Sequence, residues 1–232
     1  MTPKSSKKSK TKIPAQESHL AVRRDGRRKA TLRRSDQKWQ EILTAAAHVF
    51  RRLGYANSTL VDVANEVGMN RASLYYYVAT KSELLTEVLR KPAFEMTAVL
   101  VKIRNSDMTS GEKVREAIAA HMRALENNYP ELFVFLAENL YLQTVGDPEG
   151  DVVVNAREYG NLFSEIIRDG QESGEFRTDL TPRIAMLGIV GMCNWSHRWY
   201  RQGDGLSLPE IGDQFMMMIT EGLVLVPRAG GK

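Results

Sequence analysis

Residues 58–85 read STLVDVANEVGMNRASLYYYVATKSELL. This segment decides the fold, because it contains two short helical patterns that meet at Gly68. Glycine adopts positive φ at no steric cost and commonly ends a helix. Ser58 and Thr59 are N-cap candidates for the first helix, and Asn70 is a candidate for the second. The segment therefore predicts a helix–turn–helix hairpin, a unit whose second helix can enter the major groove of DNA.

The second helix of the hairpin is expected to expose polar and aromatic side chains. Leu74 and Val78 are expected to point inward. Arg71, Ser73 and a run of tyrosines are then left wholly or partly outward. An arginine reads guanine through two hydrogen bonds, while serine and tyrosine hydroxyls bond to bases or phosphates. A hairpin with a packing role alone would rarely expose such a set, so the pattern favours DNA binding.

The run VDVANEVGMNRASLYYYVATKSELL resembles the DNA-binding signature of the TetR family of one-component transcriptional regulators. The resemblance covers residues 38–88, with Val78 where many members have phenylalanine. It implies base contacts for Arg71, Ala72 and Ser73. The family's usual phosphate-contacting positions are occupied here by Thr59, Tyr75, Tyr76 and Lys81. Tyr77, which is expected to point wholly or partly outward from the same helix, completes the predicted DNA-binding set.

Helical periodicity over the rest of the chain predicts an all-α protein. A supporting helix precedes the hairpin, so residues 35–84 are expected to form a three-helix DNA-binding domain. Residues 85–226 are expected to form a larger helical domain, which by the TetR resemblance binds an effector and dimerises. Its predicted helices, after one that starts at the end of the hairpin, span 111–128, 130–145, 151–173, 181–201 and 207–226.

A long helix from Lys81 to about Arg104 is expected to join the two domains. Pro92 lies inside it, and a proline removes one helical hydrogen bond and crowds the preceding turn. We therefore expect a kink or a break at Pro92. Such a point could absorb a transmitted motion, or it could be a helix boundary without regulatory meaning.

The basic charge of the chain is concentrated at its start. Residues 1–34 contain twelve basic and two acidic residues, whereas the remainder has 20 basic and 26 acidic residues. This composition, with few apolar residues, predicts a disordered basic arm. The arm is either a solubilising tail, or its last ten residues follow DNA phosphates or enter the adjacent minor groove. The sequence leaves both interpretations open.

The last two predicted helices combine apolar residues with small ones. Gly188 and Gly191 permit a close helix approach, and the methionines at 216–218 adapt to irregular partners. The TetR resemblance implies that these two helices pair with their twins as a four-helix dimer interface. A dimer presents two recognition helices to the two halves of a palindrome, so we expect a homodimer on a double-stranded DNA operator.

Residues 192–201 read MCNWSHRWYR. Their tryptophans and arginines could form an aromatic wall with cations for an anionic ligand, or the tryptophans, four residues apart, could fill the core. Together with GEFRTDL at 174–180, this segment resembles the C-terminal halves of TetR-type repressors that sense acyl-CoA thioesters, including repressors of steroid catabolism. The resemblance implies a pocket in this domain. Its candidate lining residues, most of which could equally belong to the core, are Phe94, Phe133, Leu136, Asn139, Leu140, Tyr141 and Trp195, with Arg198 as a partner for an anion.

These features predict a homodimeric, ligand-responsive transcriptional regulator, a repressor that a mostly hydrophobic effector releases from a palindromic operator. The effector classes that fit are an acyl-CoA thioester and an aromatic or steroid-derived compound. The alternatives are a DNA-binding regulator without an effector, a structural adaptor and an all-α enzyme. An adaptor would not explain Arg71 and the tyrosines beside a basic arm.

Little in the sequence favours an enzyme. It has no P-loop and no G-x-S-x-G elbow, and its four histidines lack metal-ligand spacing, so we predict no catalytic residue, metal or cofactor. No run approaches ~18 apolar residues, so no membrane span is expected. The start lacks an apolar signal region, and Cys193 is the single cysteine of the chain. Both features favour the cytoplasm.

Overall fold

The structure is a computed structural model, and it describes residues 19–137, 150–201, 203 and 205–221. Within these ranges the chain contains helices and no strand, so the predicted all-α fold is confirmed. The helices are α1 (His19–Leu53), α2 (Leu60–Val67), α3 (Arg71–Tyr75), α4 (Lys81–Arg104), α5 (Ser110–Asn127), α6 (Glu131–Ala137), α7 (Asp151–Glu172), α8 (Pro182–Trp195), the 3₁₀ turn η1 (Ser196–Arg198) and α9 (Leu208–Glu221). The chain divides into two compact units, residues 1–40 and 41–232, and the second contains everything from α2 onward.

Helix α1 begins at His19 and not near Ser35 as predicted. The prediction of a disordered arm over residues 1–34 is therefore wrong for residues 19–34, which are helical. Apart from one glycine, this part is rich in arginine, alanine and leucine, which favour helix, and no proline interrupts it. Residues 1–18 lie outside the described residues, and contact between the arm and DNA stays a prediction.

Helix α4 continues past Pro92, so the predicted break does not occur. Val88 and Leu89 are buried before the proline, and Thr97 and Leu100 are buried after it. Packing on both sides holds the helix together, because tertiary burial outweighs the loss of one backbone hydrogen bond. The helix α4 thus joins the hairpin to the larger domain without interruption.

The core of the larger domain forms where α4 and α8 pack on α7, and where α5 packs on α4, α7 and α9. Its largest fully buried side chains are Leu100, Ile118, Met122, Leu125, Phe163, Ile166 and Leu208. Burying one such side chain contributes about 1.5–3 kcal/mol. Helices α4, α5, α7 and α8 of this core also line an internal cavity, together with α6.

Helix α8 ends at Trp195 and not at residue 201 as predicted, and the turn η1 follows. Ser196 is fully buried, and its hydroxyl donates to the carbonyl of Cys193 at 2.7 Å. A serine that bonds to a nearby carbonyl competes with helical hydrogen bonding. The backbone N–H of Tyr200 then donates to the Ser196 carbonyl at 2.8 Å, which fixes the turn after the helix.

Residues 174–180 lie between α7 and α8 and contact the start of α5. Gly174 has φ +81°, which lets the chain reverse after α7. The carboxylate of Glu175 accepts hydrogen bonds from the backbone N–H groups of Ser110 and Gly111, at 3.1 and 2.9 Å, and these bonds lower the pKa of Glu175. Phe176 packs against Gly170, where a Cβ would overlap its ring. The GEFRTDL segment therefore has a structural role.

No helix in the described part of the chain is both long and apolar enough to cross a membrane. Across the same residues, His, Cys, Asp and Glu side chains do not gather in groups of three that could hold a metal ion.

Candidate functional site

The helix–turn–helix hairpin is held by its caps. Thr59 is the N-cap of α2: its hydroxyl accepts from the N–H of Asp62 at 3.2 Å, and the Asp62 carboxylate accepts from the N–H of Thr59 at 2.8 Å. These reciprocal bonds form a capping box. The Thr59 hydroxyl and the Thr59 N–H both donate to the Asp62 carboxylate, and these bonds lower the pKa of Asp62. Gly68 ends α2 at φ 70°, and the Asn70 side chain accepts from the N–H of Ser73 at 2.8 Å to start α3.

Arg71 is exposed on helix α3, and two tyrosines follow that helix directly, Tyr76 exposed and Tyr77 half-buried. The guanidinium of Arg71 donates to the Tyr75 hydroxyl at 3.2 Å and lies 5.1 Å from the centroid of that ring. Tyr76 is 85% exposed and meets Tyr77 edge to face at 5.5 Å. An exposed apolar ring of this size is costly in water, so its position on the hairpin fits a surface that another molecule covers.

Of the remaining predicted DNA-binding residues, two lie on α3, and others bond to the hairpin itself. Ala72 is exposed and Ser73 is half-buried on α3, and Leu74 packs inward as expected. Lys81 differs, because its ammonium donates to the carbonyls of Tyr55, Ser58 and Ala56 at 2.6, 2.8 and 3.3 Å.

An ammonium has three hydrogens to donate, so Lys81 would give up one of these bonds to reach a phosphate. The Thr59 hydroxyl is likewise engaged, since it donates to Asp62 at 2.6 Å. Both residues hold the hairpin together, and their phosphate contacts stay predictions.

A cavity of about 70 Å³ lies inside the larger domain and is lined by α4, α5, α6, α7 and α8. We call it the inner cavity. Most of its lining is apolar: Leu89, Ala93, Met96, Leu125, Leu132, Leu136, Val152, Ala156, Met186 and Val190. Five polar side chains complete it, namely Thr97, His121, Asn155, Tyr159 and Asn194. An apolar wall with a few convergent polar groups is typical of a small-molecule site.

His121 links two of these polar side chains. Its Nδ1 lies 2.9 Å from the Tyr159 hydroxyl, and its Nε2 lies 2.9 Å from Oδ1 of Asn194. Burial lowers the pKa of His121 to about 4, because water no longer stabilises the charged ring. The imidazole is therefore neutral near pH 7, with one nitrogen as donor and the other as acceptor.

A second pair of polar side chains lies on α4 and α7. The Thr97 hydroxyl donates to Oδ1 of Asn155 at 2.9 Å, and both residues are buried. Asn155 precedes Tyr159 by one helical turn on α7, so the two side chains share a face. The pair and the His121 network thus line the same inner cavity.

A larger groove of about 360 Å³ adjoins the inner cavity. We call it the outer groove. The two share Met96, His121 and Tyr159 in their linings. The outer groove is also lined by Arg123 and Asn127, which are exposed, so it reaches the surface.

The structure places few of the predicted ligand-binding residues at this cavity. Leu136 lines it, whereas Phe133 is buried in the core cluster beside it and Phe94 is 42% exposed outside it. Asn139, Leu140 and Tyr141 lie outside the described residues.

The other two predicted ligand residues lie at the end of α8. Trp195 is 60% exposed, and the guanidinium of Arg198 lies 5.6 Å from the centroid of a ring of that tryptophan. Trp199 is also exposed, so the interpretation that the two tryptophans fill the core is wrong. Neither Trp195 nor Arg198 lines the inner cavity.

Sequence reasoning missed the polar residues of the inner cavity. His121 gave one usable signal, since it interrupts an apolar stripe of α5 that includes Ile118, Met122 and Leu125. Asn194 lies within the tryptophan segment but was not singled out. Asn155 and Tyr159 gave no signal, because their positions on α7 become meaningful only when the facing helices are known.

An apolar surface remains exposed on the last two helices. Its side chains are Ile184 and Leu187 of α8 and Met217, Met218 and Ile219 of α9. Gly188 and Gly191 face open space on the same helix α8. A patch of this kind on a single chain marks a surface that another chain can cover.

The chain is similar to known bacterial regulators over most of its described length. The family described as bacterial regulatory proteins, tetR family, matches residues 42–88, and the tetracyclin repressor-like C-terminal domain family matches residues 107–223. The transcriptional repressor KstR2 of Mycolicibacterium smegmatis is 26% identical over 184 residues, which covers 79% of this chain and 89% of that protein.

Solved structures share the fold. The TetR family regulator PfmR of Thermus thermophilus is 27% identical with a TM-score of 0.70, and the match covers 79% of this chain and 98% of that one. AibR, solved in complex with isovaleryl coenzyme A and operator DNA, is 19% identical with a TM-score of 0.69 over 78% of this chain and 97% of that one.

Proposed function

We propose that this chain, which belongs to the TetR family of bacterial transcriptional regulators, is a homodimeric repressor that a mostly hydrophobic effector releases from a palindromic operator. The observation that carries the proposal is the capped hairpin, which exposes Arg71 on α3 and Tyr76 directly after it. Arg71 would read a base edge, and the tyrosines would bond to phosphates or contact thymine methyl groups.

Dimerisation follows from the apolar surface of α8 and α9. Ile184, the most exposed of its apolar side chains at 63%, would be covered by a second copy of the chain. A twofold pair of α3 helices then fits the two halves of a palindrome. The operator would therefore be an inverted repeat.

The inner cavity supports a small apolar effector. Its lining is mostly aliphatic, with a few polar groups that could fix the orientation of a ligand. We propose an acyl thioester, because AibR binds isovaleryl coenzyme A within the same fold. The effector would bind more tightly to the state that does not fit the operator, since only such a difference in affinity shifts the population.

A contact path joins the inner cavity to the DNA-binding end. Leu132 and Leu136 of α6 line the cavity. Phe133, on the same helix, meets Tyr129 edge to face at 4.9 Å. The guanidinium of Arg51, in the last turn of α1, lies 4.2 Å from the centroid of the Tyr129 ring. A shift of α6 on effector binding would thus act on α1, the helix that supports the hairpin.

The proposal needs no catalytic step and places the protein in the cytoplasm, where operator DNA is accessible to it. Fluorescence anisotropy with duplex DNA from the region flanking the gene would test it. We expect tight binding to one inverted repeat, weak binding to a scrambled duplex and loss of the tight binding when acyl-CoA is added. Equal affinity for the two duplexes would refute specific operator recognition. Unchanged binding with every acyl-CoA would refute the effector.

A further inference from the structure

Two asparagine side chains of the inner cavity have their oxygens already engaged. Oδ1 of Asn155 accepts from Thr97, and Oδ1 of Asn194 lies 2.9 Å from Nε2 of His121. Within the described residues these are the only hydrogen bonds of the two side-chain amides. Each amide therefore keeps its N–H₂ group for another partner.

The tautomer of His121 follows from its partners. Because Asn194 presents an oxygen, Nε2 carries the proton and donates to it. Nδ1 is then an acceptor and takes the hydroxyl proton of Tyr159. The Tyr159 proton is used in this way, and Asn155 and Asn194 bring two amide donors to the lining of the inner cavity. His121 and Thr97 act as positioning residues, since they hold the two amides by their oxygens.

Two amide donors fit the oxygen of a neutral carbonyl. The described lining of the inner cavity contains no lysine, arginine, aspartate or glutamate. A carboxylate would lose its hydration there without gaining a cation, which costs several kcal/mol, whereas a carbonyl needs only the hydrogen bonds. The chemistry of the lining thus selects a carbonyl over a free acid.

The size of the inner cavity limits the apolar part of the ligand. A cavity of roughly 150 Å³ lined by aliphatic and aromatic side chains holds benzene, and the inner cavity has about 70 Å³. It therefore has room for a short acyl chain of about four carbons. The outer groove, of about 360 Å³, has room for a much larger polar portion on the far side of His121 and Tyr159.

We infer that the effector is a short-chain acyl thioester whose carbonyl oxygen accepts hydrogen bonds from the side-chain amides of Asn155 and Asn194. Its acyl chain lies in the inner cavity, and its thiol portion passes Met96, His121 and Tyr159 into the outer groove. This inference rests on the proposed function, because it names the ligand class of the same effector site.

The sharpest test varies the ligand and leaves the protein unchanged. Full-length protein bound to its operator is titrated with butyryl-CoA, with the thioether S-butyl-CoA, which lacks the carbonyl, and with butyrate. We expect butyryl-CoA to release DNA at a concentration at least about tenfold lower than S-butyl-CoA, the combined effect of two buried hydrogen bonds. We expect no release by butyrate. Equal potency of the thioester butyryl-CoA and the thioether S-butyl-CoA would overturn the role of the carbonyl.

Variants assign the carbonyl contact to its residues. Asn194→Leu and Asn155→Leu keep the approximate side-chain volume and remove one of the two amide donors, so each should reduce the preference for butyryl-CoA over S-butyl-CoA to about threefold. Ser164→Ala is the matched control, because Ser164 is buried on α7 and lines neither the inner cavity nor the outer groove. Its hydroxyl donates to the Gly160 carbonyl at 2.7 Å. The control should keep the full preference.

The length of the acyl chain tests the size of the inner cavity. Butyryl-CoA should release the operator at a lower concentration than palmitoyl-CoA, and the reverse order would overturn the short-chain assignment. Release by palmitoyl-CoA alone would still leave the proposed repressor with an acyl thioester effector. If no acyl thioester releases the operator while specific DNA binding persists, both this inference and the effector part of the proposed function fail, and the DNA-binding part stands.

Discussion

The guanidinium of Arg51 lies over the ring of Tyr129, 4.2 Å from its centroid. Arg51 belongs to the last turn of α1, and Tyr129 precedes α6, whose residues Leu132 and Leu136 line the inner cavity. A cation over an aromatic ring is worth about 0.5–1 kcal/mol at an exposed site. A contact of this size would change a two-state equilibrium by about two- to fivefold.

Replacing Arg51 tests whether this contact transmits the effector signal. In Arg51→Ala we expect operator affinity to stay within about twofold of the wild type, since Arg51 is not on α3. The effector concentration needed for release should change about two- to fivefold, which corresponds to the loss of the cation–π contact. Arg51→Lys keeps a cation and should behave like the wild type. An unchanged release curve for Arg51→Ala, measured by anisotropy, would remove this contact from the signalling path.

Arg71→Ala should weaken specific operator binding by about 1–3 kcal/mol, because one base-reading side chain is lost. Arg115 is an exposed arginine of α5, remote in sequence from the hairpin, so Arg115→Ala is the control and should bind as the wild type does. Sedimentation velocity should show that both variants remain dimeric. Wild-type operator affinity in Arg71→Ala would exclude this residue from base recognition.

Ile184→Glu should separate dimerisation from folding. The side chain is exposed on the single chain, so a carboxylate there costs the fold little, but it would be desolvated between two copies. We expect a folded, helical monomer by circular dichroism and sedimentation, with operator binding lost or strongly reduced. A variant that stays dimeric would place the dimer interface elsewhere.

His121 should make stability depend on pH. Its pKa is lowered from 6.5 to about 4 in the folded chain, so the unfolded chain binds more protons between these values. The part of the free energy of unfolding that depends on a neutral His121 is complete above pH ~6.5 and is lost as the pH falls toward 4. From about pH 7 to about pH 4.5, the free energy of unfolding should fall by about 2–3 kcal/mol more in the wild type than in His121→Gln.

Urea denaturation of the two proteins at several pH values measures this difference, because both share every other titrating group. Parallel pH profiles would show that the imidazole is not held neutral by burial.

Gly170→Ala tests the packing of the 174–180 segment. A Cβ at Gly170 would overlap the ring of Phe176 and lie 2.9 Å from the Cβ of Ser110. Overpacking of this kind costs about 1–3 kcal/mol. Gly111→Ala is the control, because its Cβ would meet its nearest neighbour at an ordinary 3.6 Å. Chemical denaturation should show a free energy of unfolding that is clearly lower for Gly170→Ala and little changed for Gly111→Ala.

The hairpin could be predicted closely because its determinants are local. Thr59 caps α2, Gly68 ends it at positive φ and Asn70 starts α3, as the sequence indicated. The prediction failed where an element depends on its surroundings. Pro92 predicted a kink or a break, and no break occurs, because packing on both sides keeps α4 continuous. A helix was predicted through residue 201, yet buried Ser196 ends it near Trp195.

Local spacing within the sequence determined the helices, the turn at Gly68 and the residues exposed on α3, because capping and periodicity act over a few neighbouring residues. The tertiary structure alone decided the inner cavity, since five helices must meet before His121 can join Tyr159 to Asn194. It also decided that Lys81 bonds to the loop before α2, where three carbonyls converge. Periodicity tells which face of a helix is apolar, but only packing determines which polar side chains from different helices come within hydrogen-bonding distance.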